Sequence, residues 1–384
     1  MSTESATIHQ IFFDDAHDMA RVDDDSVRLV ITSPPYPMIE MWDALFCAAD
    51  DVISDALKRS DSELAFERMH QYLDGVWDEA GRVLAPGGIA CINIGDATRT
   101  VDGHFRVFAN HARVINKFQD MGFIQLPTIL WRKSTNAPNK FMGSGMLPPG
   151  AYVTLEHEYI LIFRKGHKRT FSDDAQKQLR RKSAYFWEER NLWFSDVWTG
   201  LPGVVQDLKN FRSRQRSAAF PLELPYRLIN MFSIFGDTVL DPFVGSGTTL
   251  IAAMCAGRNG LGYEIDEAFS QVFLERIASA PLTGQRLVQD RLDAHRQFAS
   301  SRMASKADLK YQNINHRFPV MTRQEIELCL RHIASIQFLS GQRFKVDYSD
   351  SDEPGADMEA TPVSEATAIE PVVRSLRGRQ LKLF

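Results

Sequence analysis

The sequence has no run of about 18 consecutive apolar residues, so no segment of it is expected to cross a membrane as a helix. Its first ten residues, MSTESATIHQ, lack the basic-then-apolar pattern of an export signal, which points to a cytoplasmic protein. Cysteine is scarce: Cys47, Cys91, Cys255 and Cys329 lie far apart, with no C-x-x-C pair. They read as reduced, mostly buried packing residues, and neither a zinc site nor a disulfide framework is expected. Neither sign of charge dominates. The 44 Lys and Arg against 49 Asp and Glu leave a net charge of −5. That excludes a generic polyanion binder but not a local basic groove. No internal repeat is visible. What is present is ordinary globular composition, with 44% hydrophobic and 24% charged residues over 384 positions. This excludes a collagen, a rod or a fully disordered chain, and allows two or three domains or one large α/β domain with insertions.

Along the chain, strand-like and helix-like stretches alternate, which suggests a parallel sheet with helical crossovers. Residues 11–13 and 27–31 are strand candidates. Residues 61–84 carry helical spacing through Leu64, Met69, Leu73, Val76 and Trp77, and Ala85-Pro86-Gly87-Gly88 breaks it before a strand at 89–94. A helix is expected over 105–121, a strand over 128–131, a long loop over 132–152 and a strand over 159–163. Residues 164–182 hold eight Lys and Arg, and Tyr185, Phe186, Trp187, Trp193, Phe194 and Trp198 follow closely. From 217 the alternation returns, with helices at 222–232, 248–256 and 266–279 and strands at 238–240 and 260–263. An amphipathic helix is expected at 322–340. Residues 347–370 hold eight Asp and Glu and no Lys or Arg, the composition of a self-repelling linker. The expected division is therefore 1–131, 132–216, 217–300, a small helical extension at 301–346, and a disordered tail at 347–384.

Two constellations carry chemistry. Thr32-Ser33-Pro34-Pro35-Tyr36-Pro37 follows directly on a strand. Consecutive prolines fix φ and donate no N–H, so their carbonyls can form a rigid acceptor cluster. Ser33 adds a side-chain acceptor and Tyr36 a flat face. Such a site suits a planar ring bearing an NH2 group, because acceptors that hold both amine hydrogens free the conjugated lone pair. Taken alone, the motif is equally a proline-stiffened turn. The second is Asp241-Pro242-Phe243-Val244-Gly245-Ser246-Gly247-Thr248-Thr249, a strand, a glycine loop and a helix start. It is not a P-loop, since no G-K-[ST] follows, and it lacks the third glycine of the dinucleotide fingerprint. Glu264 lies at the tip of the next strand, where an acid commonly takes ribose hydroxyls. Loop and acid together point to an adenosine-type cofactor, against a purely structural turn.

S-P-P-Y early and D-P-F-x-G-S-G-T-T late resemble the DNA amino-methyltransferases that use S-adenosylmethionine, and the order resembles their permuted β group. The resemblance spans most of residues 8–280. It extends to Gly81-Arg82-Val83-Leu84-Ala85-Pro86-Gly87-Gly88, to Phe220-Pro221-x-x-Leu224 and to Gly262-Tyr263-Glu264. It implies a Rossmann-like α/β sheet, mostly parallel, with helices on both faces. It also implies that Ser33, Pro34, Pro35 and Tyr36 are catalytic, Ser33 and the Pro34 carbonyl holding the target amine and Tyr36 stacking on a flipped base. Thr32, Phe220, Asp241, Phe243, Gly245, Gly247, Thr248 and Glu264 would line the cofactor site, with Asp14 at its adenine end and no metal. Two departures stand out. Phe12-Phe13-Asp14-Asp15 replaces the usual Gly-Asp, and Ala219 precedes Phe220 where many relatives carry histidine.

Serine at the head of the motif resembles the branch that methylates cytosine N4; adenine N6 is the alternative, and a catalytically silent DNA-binding subunit a more distant one. A base inside double-stranded DNA must be flipped out at a cost of a few kcal/mol. By resemblance, 132–216 is the target-recognition region, with Lys165, Lys168, Arg169, Arg180, Arg181, Lys182, Arg212 and Arg214 as DNA contacts. The terminal Gln380-Leu381-Lys382-Leu383-Phe384 resembles the peptide that docks bacterial proteins on the sliding clamp, through Gln380, Leu381, Leu383 and Phe384. A cognate restriction endonuclease is a further candidate partner, a homo-oligomer is left open, and nucleoid association would follow from DNA binding.

Overall fold

The computed structural model describes residues 6–133, 142–201, 220–305 and 309–349. Its centre is a ten-stranded sheet. In chain order its strands are β1 (Ala6–Phe12), β2 (Val27–Thr32), β3 (Leu84–Ile94), β4 (Phe123–Arg132), β5 (His157–Lys165), β6 (Val197–Trp198), β7 (Thr238–Asp241), β8 (Asn259–Tyr263), β9 (His332–Ser340) and β10 (Arg343–Ser349). Across the sheet they lie in the order β6-β4-β5-β3-β2-β7-β8-β1-β10-β9. Only β5 and β10 run against the rest, so the sheet is mostly parallel, as expected.

The two faces are read directly from alternation along the strands. Leu29, Ile31 and Val239 point to one apolar layer, and Val30, Ile92 and Leu240 to the other. The first layer is covered by α7 (Glu223–Phe232), α8 (Thr248–Cys255) and α9 (Phe269–Ala304). The second is covered by α1 (Asp43–Ala49), α2 (Asp51–Lys58), α3 (Ser62–Val83) and α4 (Asn110–Asp120). A core sheet covered on both faces explains why its central strands read as nearly unbroken apolar runs.

Several expectations are corrected. The helix placed at 105–121 begins only at Asn110, because Ala97–Val101 and His104–Phe108 pair as a hairpin. Its turn uses Asp102 and Gly103, both at positive φ, the two-residue turn that suits a hairpin. The helix placed at 266–279 runs on through Pro281 to Ala304. It continues because Ile277, Ala280, Gly284, Val288 and Leu292 keep one face buried beyond the proline. The amphipathic helix at 322–340 is absent. A short turn at Arg323–Glu325 leads to strand β9, which pairs with β10 across Gly341 and Gln342, both at positive φ. The extension is thus part of the central sheet, and the expected linker starts too early, since Asp347 is paired with Ala6. The 132–216 stretch likewise supplies β5 and β6 to the sheet. It also carries two short helices, α5 (Asp174–Lys182) and α6 (Trp187–Trp193). Among the described residues no helix is long and apolar enough to cross a membrane. All four cysteines are free thiols, three of them buried and Cys47 half-buried.

Candidate active site

The carboxyl ends of β1, β2, β7 and β8 open into a cleft of about 1140 Å³, its mouth included. In parallel sheets ligands bind at this edge, where loops diverge from the strand ends. The two motifs, more than 200 residues apart in sequence, meet here. Ser33, Pro34 and Pro35 line the cleft from β2, and Asp241, Phe243, Gly245 and Thr248 from β7 and its loop. Glu264 lines it from β8, Asp14 from the end of β1, and Phe220 from before α7.

Asp241 knits the two motifs together. Its carboxylate accepts from Thr32 Oγ1 at 2.6 Å, Thr249 Oγ1 at 2.5 Å and Phe243 N at 3.0 Å. Burial raises its pKa to about 6 although all three donors pull the other way. Thr32 therefore acts from behind the wall, as a strut between β2 and β7. Glu264 accepts from Gly245 N and Asp266 N, each at 2.9 Å, and burial raises its pKa. Each of its oxygens keeps a further lone pair for a ligand hydroxyl. Gly247 lies at φ +86, and a Cβ there would come within 2.3 Å of the Phe273 ring. It permits the turn into α8 rather than touching the cleft.

The residues fit an adenosine-type group. The Tyr263 hydroxyl is buried at the cleft wall with no partner among the described residues, an acceptor and donor waiting for a ligand. A Cβ on Gly245 would meet nothing within 4 Å, so the loop backbone is open to a close approach. Asp14, Asp15, Asp241 and Glu264 give the cleft an acidic lining, which suits a cationic ligand.

The proline motif holds a surprise at Tyr36. Expected to offer a flat face to a base, it is only 7% exposed and is not among the residues lining the cleft. Its hydroxyl donates to Glu158 Oε2 at 2.9 Å and lies 2.9 Å from Ser33 Oγ. Asn93 Nδ2 donates to that hydroxyl at 2.9 Å and to Glu158 Oε2 at 2.7 Å, and Lys133 pairs with Glu158. These polar partners draw the ring inward, beside Gly95. Sequence reading missed Glu158, Asn93 and Lys133. The only signal was a carboxylate at the start of an apolar strand, His157-Glu158-Tyr159-Ile160-Leu161-Ile162-Phe163. It also missed His17 on the cleft wall, whose pKa is raised because Asp15 and the Tyr72 carbonyl both accept from its ring.

The structure does not bring the expected basic contacts to this cleft. Lys165 pairs with Asp25 and donates to the Gly81 carbonyl, just before β2 and β3. Arg169 pairs with the buried Asp237, just before β7. Both therefore sit at the amino ends of the parallel strands, a full strand length from Ser33. Arg180 lies over the Phe171 ring, and Arg181 pairs with Glu327. The Lys182 carbonyl accepts from Cys329 N, and Lys168 is exposed at the same end. The reason is topological: β5 is antiparallel, so the basic run that follows it emerges opposite the cleft. Arg212 and Arg214 lie outside the described residues, as do Gln380, Leu381, Leu383 and Phe384.

Fold and cleft together define an α/β protein of the class that takes an adenosine-type group at the carboxyl edge of its sheet, with an acceptor-rich proline motif facing the glycine loop. A family profile described as DNA methylase, of the N6/N4 methyltransferase type, matches residues 27–275. The chain is 49% identical over 345 residues to the Type II methyltransferase M.MthZI of Methanothermobacter thermautotrophicus, covering 90% of this chain and 96% of that protein. It is 51% identical to the Type II methyltransferase M.MjaI of Methanocaldococcus jannaschii, covering 72% of this chain and 93% of the relative. Among solved structures it is similar to a putative DNA modification methylase of Thermus thermophilus complexed with S-adenosyl-L-methionine. That match has 34% identity and a TM-score of 0.55, and covers 71% of this chain and 94% of that one. The chain belongs to the N6/N4-type DNA methylase family.

Proposed function

We propose that this protein is a sequence-specific DNA methyltransferase that uses S-adenosylmethionine to methylate the exocyclic N4 amine of cytosine flipped out of duplex DNA. The observation that carries the reading is the meeting of Ser33 and Pro34 with the Asp241 and Glu264 walls in one cleft. S-adenosylmethionine, when bound, supplies an electrophilic methyl on a sulfonium that leaves as a neutral thioether. Glu264 is placed for the ribose hydroxyls, Tyr263 and the Gly245 backbone for polar groups nearby, and the acidic lining favours the cationic sulfonium. Ser33 Oγ and the Pro34 carbonyl accept the two amine hydrogens. Holding both draws the nitrogen towards tetrahedral geometry and frees its lone pair for in-line attack. The N–C bond forms as the C–S bond breaks, and the amine then sheds one proton to solvent. Serine rather than aspartate or asparagine at the motif head supports cytosine N4 over adenine N6.

The DNA approaches the cleft edge, so its contacts are sought near the carboxyl ends of the parallel strands, rather than in the run after β5. The names of the two Type II relatives support a restriction–modification setting with a cognate endonuclease. Docking of the C-terminal QLKLF on a sliding clamp is a separate proposal, supported by its sequence alone. The deciding experiment is mass spectrometry of nucleosides from DNA incubated with the protein and methyl-labelled S-adenosylmethionine. Label on N4-methylcytosine is expected. Label on N6-methyladenine would overturn the base assignment and keep the chemistry. No label on diverse genomic DNA would favour the silent subunit.

A further inference from the structure

Behind Ser33 lies a buried polar chain whose direction can be worked out from its ends. Glu158 pairs with Lys133 on its other side, and a carboxylate in an ion pair can only accept hydrogen bonds. The single Tyr36 hydroxyl hydrogen therefore goes to Glu158. Burial and the neighbouring Glu158 charge keep the Tyr36 phenol protonated by raising its pKa. With its hydrogen committed, the Tyr36 oxygen is an acceptor towards Asn93 Nδ2 and towards Ser33. The Ser33 hydroxyl hydrogen then points inward at Tyr36, and a Ser33 lone pair is left facing the cleft. Asn93 is fixed in register by its second bond to Glu158, and its Nδ2 also makes a long 3.5 Å contact to Ser33 Oγ, a donor that leaves the serine oxygen its acceptor role.

We propose that Glu158, acting through Tyr36, is the positioning residue that makes Ser33 an obligate hydrogen-bond acceptor for the target amine. This rests on the amine-transfer reading above. A free serine hydroxyl could turn its own hydrogen onto the amine lone pair and block attack. The chain removes that state from the ensemble, so the acceptor is set before substrate arrives. It also gives Tyr36 a task for its hydroxyl, distinct from any stacking by its ring.

Glu158→Gln is nearly isosteric but reverses the chain. Lys133 demands the amide oxygen, so a donor NH2 replaces the acceptor that Tyr36 and Asn93 share; Tyr36 turns its hydrogen to Ser33, and the serine hydrogen turns outward. Turnover on duplex DNA should fall by about 100-fold, the scale of a mispositioned reacting group. S-adenosylmethionine affinity by calorimetry and the thermal midpoint should stay near wild type. Tyr36→Phe keeps the ring and removes the hydroxyl link, leaving only the long Asn93 contact to Ser33, so in that background Glu158→Gln should change turnover less than twofold. Equal losses in both backgrounds would make Glu158 merely structural and overturn the inference, as would wild-type turnover by the single variant. Failure of the wild-type protein to label any exocyclic amine would instead sink the reaction itself, and the relay with it.

Discussion

Gly247 shows how much one residue decides at this site. Its backbone lies at φ +86, and the Phe273 ring leaves no room for a side chain. Gly247→Ala should cost about 1–3 kcal/mol from overpacking alone, with added backbone strain, and should weaken S-adenosylmethionine binding. Scanning and titration calorimetry check both effects. Asp241 sets a pH signature. Burial raises its pKa from 3.8 to about 6, so between those values the folded protein holds a proton that the unfolded chain has released. Its contribution to stability therefore falls as pH rises through that window and stays lost above it. Asp241→Asn should flatten this slope, seen as a melting temperature less sensitive to pH between about 4 and 6 than that of the wild type. The residue identities here were legible in the sequence: Asp241, Glu264, Ser33 and Pro34 all face one cleft. Tyr36 was not, because its burial depends on Glu158 and Asn93, which arrive from two other strands.

At the scale of elements, the direction of β5 controls where charge ends up. A basic run near aromatics read as a DNA grip, yet the antiparallel strand delivers it to the amino edge of the sheet. Arg169 there pairs with a buried aspartate, and its own side chain is 21% exposed. Arg169→Ala should lower stability by about 1–3 kcal/mol by orphaning that carboxylate, and should leave the salt dependence of DNA affinity unchanged. A flattened slope in a filter-binding or anisotropy series would return the residue to the DNA interface. Strand direction depends on which neighbour a strand pairs with, and local pattern says nothing about that. The same blindness turned strand β9 into an expected helix, since a strand exposed along most of its length can mimic amphipathic spacing.

For the whole molecule, the chain closes on itself: β10 pairs with β1, bringing residues near both ends of the described chain into one sheet. All ten strands of that sheet lie within the described residues, which end at Ser349. Deleting residues 371–384 should leave methylation of short naked duplexes within about twofold and the melting temperature unchanged, while abolishing capture by an immobilised sliding clamp. Retained capture would place clamp contact elsewhere, and lost catalysis would tie the tail to the enzyme.

The sequence by itself determined the family. Two short motifs carry residue types that few other functions require, and their order along the chain matches the family's β group. Local patterning also determined the alternation of strands and helices, because each strand records the burial of its two faces. Only the tertiary structure decided which polar groups stand behind Ser33 and which edge of the sheet each basic residue reaches. Both depend on strand order and direction, which arise from pairings between segments up to hundreds of residues apart and leave no mark on any one of them.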